Sequence, residues 1–279
     1  MKRLLFLTFY FKPDLCAGSF RNSSLFDELK SISDKKNINV DVITTVPNRY
    51  STYYKNANNL ELSKNIKIHR IDIPNHKSGF IDQIFSFTVF FYRAVKISKK
   101  YNYDLVYASS SRLFTAFLGF YIARLNKSKL YLDIRDLFID TINDVIPSKI
   151  LKFFFLPFLN FIEKTTFNYA THINLISPGF YEYFKKYNKK NITFFTNGID
   201  EIFLNNKFNN IFSKKEKYKI IYAGNIGEGQ GLHKIIPKAA LNLREKYEFV
   251  IVGDGGQLSK LKKKVYQLKI NNVKFLNPV

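Results

Sequence analysis

Cysteine occurs once in the 279 residues, at Cys16, so an internal disulfide is excluded. That fits a reducing compartment. Nothing in the sequence around Cys16 supports it as a nucleophile. Histidine occurs only four times. No helical stretch carries the paired spacing of a zinc site, and no metal centre is expected. The G-x-S-x-G element that presents a serine nucleophile is absent, as is any clear nucleophile–base pair. No apolar run approaches the ~20 residues of a membrane span. The opening MKRLLFLTFYFKPD imitates a secretion signal, yet it lacks a small-residue cleavage site and runs straight into Lys12-Pro13-Asp14. A buried first strand is the better reading. Acidic residues are scarce, 22 against 44 lysines and arginines, for a formal net charge of +22. This excess points either to a polyanionic partner or to a compositional bias in which Lys, Asn, Ile, Phe and Tyr are all abundant. No arginine-rich tract and no nucleic-acid-binding module accompanies it, so nucleic acid is not an expected partner.

What is present alternates between strand-like and helix-like segments. Apolar strands are expected at residues 2–11, Val40–Thr45, Ile66–Ile71, Asp104–Ala108, Lys129–Asp133, Thr171–Ile176 and Ile192–Phe195. Helical patterns fall at Ser23–Ser33, Ile81–Lys100, Thr115–Leu125 and Ser148–Ala170, with a helix start at Ser177–Lys185. Alternation of this kind predicts a mostly parallel sheet covered on both faces. Past Thr196–Asp200 the pattern breaks into a polar, basic stretch read as a linker over 201–217. It restarts with a strand at Lys219–Ala223, a glycine-rich turn and a helix through Lys246. Then follow a strand at Phe249–Val252, a helix at Leu258–Leu268 and a last strand at Val273–Leu276. Pro237 should kink the first of these helices unless it falls in the first turn. The expected organisation is an N-terminal domain over 1–200 and a second α/β unit over 218–279 with only three strands, half of a doubly wound domain.

Four stretches could carry chemistry. In YKIIYAGNIGEGQGL, a buried strand is followed by Gly224, Gly227, Gly229 and Gly231 and then a helix, the context in which backbone N–H groups hold a phosphate. The alternative is a tight turn without a ligand. VGDGG, Val252–Gly256, is again a strand end with glycines and an acid, either a ligand site or only a turn. The loop after the first strand carries Gly18 and Ser19, with Arg21 placed to offer a positive charge to a phosphate. Otherwise it is a capping loop with Asn22 or Ser23 as the cap. In LDIRDL, the charges Asp133, Arg135 and Asp136 follow a buried strand, and an ion pair among themselves is the favoured reading. Two helices, Ile81–Lys100 and Ser148–Lys164, have wide apolar faces. In the second, Lys149, Lys152, Asn160 and Glu163 form the polar stripe against a run of phenylalanines. Such faces fit a buried helix or one lying in a lipid interface, where flanking lysines would favour anionic lipid.

Taken in order, FKPDLCAGSFRNSSLFDEL, DIRDLFIDTI, ISPGF, TNGID, YAGNIGEGQGL and VGDGGQL resemble the family 4 glycosyltransferases of the GT-B fold, in the WbuB-like branch that acts in surface-polysaccharide and O-antigen assembly. The resemblance implies two facing Rossmann-like domains, the second incomplete here. The first would take a lipid-linked or glycan acceptor and the second a nucleotide-sugar donor, probably a UDP-sugar. Transfer would retain anomeric configuration with no cofactor beyond that substrate. By the same match Gly224, Asn225, Gly227, Gln230 and Gly231 would surround the diphosphate, with Gly18 and Ser19 approaching from the other side. Asn197, Gly253 and Asp254 complete the implied donor set, and Asp136 is the implied catalytic residue near the sugar. Many members carry Arg and Lys where this chain has Asn225 and Gln230. The family's pair of sugar- and ribose-holding glutamates should lie beyond residue 279, so the expectation is a truncated chain with little transferase activity. The implied location is the cytoplasm, peripheral to the inner face of the membrane. The rival expectations are an inactive acceptor- or membrane-binding remnant, and a sugar-nucleotide epimerase on the same fold.

Overall fold

The computed structural model describes residues 1–48, 56–74, 80–110, 113–139, 149–187, 191–199, 201–204 and 217–278. Chain contacts separate them into two compact units.

The first unit is built on an eight-stranded sheet. Its strands are β1 (Arg3–Thr8), β2 (Asn39–Thr45), β3 (Leu60–Ser63), β4 (Ile66–Ile71), β5 (Leu105–Ser110), β6 (Lys129–Ile134), β7 (His172–Leu175) and β8 (Ile192–Phe194), in the order β3-β4-β2-β1-β5-β6-β7-β8. All pairs are parallel except β3–β4. β3 was not expected from its sequence, because LELS is largely exposed and shows no buried alternation. The long helices are α1 (Ala17–Lys36), α2 (Phe80–Ser98), α3 (Leu113–Asn126) and α4 (Lys149–Tyr169).

The period of two along each strand sorts side chains between the faces. Phe6, Val40, Val42 and Tyr107 pack with Phe26 of α1 in one cluster. Leu5, Leu7, Ile43, Val106 and Ala108 pack on the other face with Phe90 of α2, Leu118 of α3 and Leu159 of α4. α2 and α3 meet through ring pairs such as Phe91–Phe117, and α3 meets α4 through Phe120–Tyr169. Gly119 lets α3 sit close on β5, since a Cβ there would stand 2.6 Å from the Cβ of Ala108.

α1 corrects the expected helix at Ser23–Ser33. It begins at Ala17, so Gly18, Ser19 and Asn22 lie inside its first turns, and neither Asn22 nor Ser23 is the cap. Polar residues read as caps when seen alone. Here Asn22 is fully buried and donates to Thr8 Oγ1 at 2.7 Å and to the Tyr10 carbonyl at 3.3 Å, tying the helix to the end of β1.

The second unit is a three-stranded parallel sheet in the order β11-β10-β9, formed by β9 (Tyr218–Ala223), β10 (Tyr247–Val252) and β11 (Val273–Leu276). Its longer helices are α5 (Leu232–Asn242) and α6 (Leu258–Gln267). α5 ends at Asn242, four residues short of the expected Lys246. Ile236 and Ala240 of α5 pack with Leu261 and Val265 of α6 over Phe249 and Ile251. On the opposite sheet face Ile221 and Leu276 are exposed. Pro237 does lie inside α5. Lacking an N–H, it leaves the carbonyl of His233 without its helical donor. Lys264 of α6 supplies the replacement, its Nζ donating to that carbonyl at 3.1 Å. Buried Asn272 donates to the Ala240 and Tyr247 carbonyls at 3.1 and 3.0 Å, closing the end of α5. Most of the expected linker, residues 205–216, lies outside the described residues, as do Asp200, Ser148 and residues 140–142 of DIRDLFIDTI.

Candidate functional site

In the first unit the implied residues collect where β1, β6 and β8 end. Gly18 occupies the first turn of α1 for a steric reason: a Cβ there would lie 2.7 Å from Nη1 and 3.0 Å from Nη2 of Arg135. Glycine makes room for that guanidinium. The helix start carries no acidic residue in its first turn and no side-chain cap. Its positive end and Arg135 therefore lie side by side. Ser19, next in the turn, is buried, with no hydrogen-bond partner for its hydroxyl among the described residues. Asp136 follows Arg135 at the surface. Crowding by the surrounding protein raises its carboxyl pKa, and the neighbouring Arg135 works against that rise.

The ion pair expected within LDIRDL does not form. Asp133 is buried and pairs with Arg21, whose Nε and Nη2 reach its two carboxylate oxygens at 2.9 Å each. Arg21 is thereby spent within the protein and not held out to a phosphate. It also donates to the carbonyls of Phe195 and Thr196, both at 2.8 Å, and to Asn197 Oδ1 at 3.4 Å. Asn174 closes the network, donating to Asp133 at 2.7 Å and accepting from the Phe195 N–H at 2.8 Å. Burial works to lower the Arg21 pKa, but the bonds and charge of Asp133 outweigh it and the net shift is upward. The exposed Thr196–Gly198 segment thus hangs from a buried cation–carboxylate pair. Asn174 escaped sequence reasoning because its partners lie 21 and 41 residues away.

In the second unit the turn after β9 is held by its own polar groups. Gly224 takes φ +152° and Gly231, which caps α5, φ +62°, both in the region that favours glycine. Gln230 Oε1 accepts from Asn225 Nδ2 and from the Gly227 N–H, each at 3.1 Å. Tyr222 donates to the Asn225 carbonyl at 2.7 Å, and Ile226 is fully buried. The VGDGG turn supports this one. Gly224 N–H donates to Val252 O, Ile226 N–H to Asp254 O and Gln257 N–H to Ile226 O. At Gly253 (φ +142°) a Cβ would sit 1.9 Å from the Gly224 carbonyl oxygen, and at Gly255 one would sit 2.6 Å from that of Ile226. Gly253 is required by close backbone contact, and Asp254 Oδ1 accepts from the Gly255 N–H at 2.7 Å.

The N–H groups of Gly224, Ile226, Gly227 and Gly231 are all used in these contacts. Those of Leu232 and His233, in the first turn of α5, have no acceptor among the described residues, as helix geometry leaves them. The His233 ring is 1% exposed and neither nitrogen has a hydrogen-bond partner among the described residues; Glu228 Oε1 stands 3.7 Å from Nε2. Burial, followed by the charge of Lys260, lowers its pKa, which favours the neutral ring. His233 was missed because it sits on the apolar face of an amphipathic helix, where nothing distinguishes it from core. No cluster of metal-ligating side chains occurs among the described residues.

Comparison with known proteins agrees with this architecture. The sequence profile of the glycosyl transferases group 1 family matches residues 204–279. WcaI of Escherichia coli (strain K12), described as a colanic acid biosynthesis glycosyl transferase, is 43% identical over 56 residues, which cover 20% of this chain and 14% of WcaI. Among solved structures, a sucrose-phosphate synthase from Thermosynechococcus elongatus matches with a TM-score of 0.65 at 12% identity, covering 100% of this chain and 71% of that one. Anabaena HepE, solved in complex with UDP-glucose, matches at 0.58 with 14% identity, covering 100% and 70%. The chain has the GT-B fold, and its residues 204–279 match the group 1 glycosyl transferase family.

Proposed function

We propose that this protein is a glycosyltransferase that moves a sugar from a nucleotide-sugar donor, with UDP as the nucleotide, to a lipid-linked or glycan acceptor in surface-polysaccharide synthesis, with retention of configuration. The observation that carries this reading is the turn from Gly224 to Gly231, placed between β9 and α5 inside the span that matches the transferase family. The HepE complexes with UDP and UDP-glucose support the choice of nucleotide.

The chain's own chemistry suggests how the donor is held. The departing diphosphate needs stabilisation of negative charge, and the free N–H groups of Leu232 and His233, aided by the helix dipole, supply it. Asn225 and Gln230 keep the turn in shape through their mutual bond. With neither Arg nor Lys at those two positions, the diphosphate depends on backbone donors more than on side-chain charge. In the first unit we assign Gly18, Ser19 and Asn197 to the donor side and Asp136 to the reacting sugar. The raised pKa of Asp136 favours a proton-exchanging role at that position.

Isothermal titration with UDP, followed by assay of UDP release from UDP-sugars with and without a lipid-linked acceptor, tests the proposal. Binding of UDP with acceptor-dependent release supports it. A folded protein that binds no uridine nucleotide overturns it, and turnover of a UDP-sugar without any acceptor favours an epimerase.

A further inference from the structure

Pro237 lies inside α5, past its first turn. A proline there removes one helical hydrogen bond, and its ring presses on the carbonyl four residues back. That carbonyl belongs to His233, in the first turn. The first turn is thus joined to the rest of α5 by one bond fewer than a regular helix has. It also starts with little help. Gly231 caps the helix without a side-chain bond, and its carbonyl serves both the Lys234 N–H at 2.8 Å and the Ile235 N–H at 3.2 Å. The N–H groups of Leu232 and His233 sit in this turn, and a phosphate site built from backbone depends on where they point.

Lys264 answers the defect from outside the helix. Lys260, Lys262 and Lys263 of α6 are exposed, whereas Lys264 is half-buried and turns its ammonium onto the His233 carbonyl at 3.1 Å. A hydrogen bond from a charged donor is stronger than the neutral amide bond it replaces. α6 is itself tied to the glycine turn, since the Gln257 N–H donates to the Ile226 carbonyl at 2.9 Å. A continuous line of contacts therefore runs from the glycine turn through α6 and Lys264 to the first turn of α5. Leu261 and Val265 of α6 also pack against α5, but apolar contact is non-directional and does not orient a carbonyl. The His233 ring adds no polar link, because neither nitrogen has a hydrogen-bond partner among the described residues.

We propose that Lys264 is a positioning residue for the donor site. Its ammonium stands in for the N–H that Pro237 lacks and fixes the direction of the Leu232 and His233 N–H groups, without touching the donor. The assignment rests on the transferase reading for its ligand, and on the contacts of Pro237, His233 and Lys264 for its geometry. A lysine near a phosphate site could instead attract the anion by charge. The two roles part on one point. A positioning lysine becomes dispensable once residue 237 has its own N–H, and an attracting lysine does not.

The test is a double-variant cycle on the full chain with UDP as the probe. Lys264→Met keeps most of the aliphatic stem and removes the ammonium, and Pro237→Ala restores the backbone N–H. Circular dichroism checks that each variant is folded. In calorimetry Lys264→Met should bind UDP about 5- to 10-fold more weakly than wild type. Pro237→Ala and the double variant should both bind within about twofold of wild type. In the nucleotide-free protein the backbone amide NMR signals of Leu232 and His233 should move in Lys264→Met and return toward their wild-type positions in the double variant. A Lys264→Met variant that leaves both UDP affinity and these signals unchanged overturns the proposal. So does a loss of affinity that persists in the double variant, which would make Lys264 a direct charge contact. A wild type that binds no uridine nucleotide defeats the transferase reading, and the amide signals then decide the positioning role by themselves.

Discussion

Removing the Arg21 side chain is the sharpest test of the first unit's site architecture. In Arg21→Ala, Asp133 loses both 2.9 Å bonds to the guanidinium and keeps Asn174 Nδ2 at 2.7 Å and the more distant Ser109 hydroxyl at 3.4 Å. The side chains of the pair are 14% and 2% exposed, so solvent cannot replace the lost partner. Breaking a buried pair from one side costs about 3–5 kcal/mol, because the remaining charge stays buried and uncompensated. At about 2–4 °C per kcal/mol for a unit of this size, the midpoint should fall by about 6–20 °C. Arg21→Lys keeps the charge but loses the planar fork, and should recover about half of the loss. Arg21→Met with Asp133→Leu removes both charges and should cost less than either single truncation. Urea unfolding followed by circular dichroism measures these differences. The carbonyls of Phe195 and Thr196 lose their donor as well, so amide exchange at Thr196–Gly198 should quicken in Arg21→Ala beyond what global stability explains. A cost under about 1 kcal/mol, with unchanged exchange in that segment, would refute the idea that this pair carries the segment.

Four further outcomes are expected. Gly253→Ala, which would force a Cβ to 1.9 Å from the Gly224 carbonyl oxygen at a positive φ, should destabilise the second unit by about 3 kcal/mol and abolish UDP binding in calorimetry. Gly229→Ala, with open space around it, should change stability by less than about 0.5 kcal/mol. Gln230→Ala removes the shared acceptor of Asn225 and Gly227 and should weaken UDP about 3- to 10-fold while leaving the unfolding midpoint nearly unchanged. Burial lowers the pKa of His69, His172 and His233 below the ordinary 6.5. The unfolded chain therefore binds more protons than the folded one in the window below about pH 6.5, and stability falls as pH drops through it. Urea midpoints from pH 7.5 to 5.5 should decline, and His233→Gln should flatten the part of the decline that belongs to the second unit.

The strands were legible because parallel strands buried on both faces leave near-continuous apolar runs, as LLFLT in β1 does. β3 is an exposed antiparallel edge and left no such run. The start of α1 was hidden for a different reason. CAGSFRNSS is composed of residues that favour caps and turns, and only tertiary partners keep it helical: Asn22 is bonded to the end of β1, and Gly18 is covered by Arg135. α4 shows a limit of periodicity itself. A wide apolar face with a narrow polar stripe predicts an amphipathic helix, but it does not say which face meets the sheet. Two tyrosines from the chain after β7, invisible at that range in sequence, draw Glu163 inward and leave the phenylalanines outside.

The glycine turns show the same limit at the candidate site. Sequence located the turns and left each open between a ligand site and a plain turn. For Gly253 and Gly255 the approaching backbone belongs to the protein: each lies against a carbonyl of the Gly224–Ile226 segment. For Gly18 it is the Arg135 guanidinium. Asn225 and Gln230, which stand where many relatives of the resembled family carry charge, are bonded to each other. The first turn of α5 is what remains free, and its donors are backbone N–H groups that no side-chain motif can record. If a diphosphate binds here, substitutions that shift the start of α5 should damage binding more than substitutions that alter polarity around it. That ordering separates a phosphate site built from backbone from one built from charge.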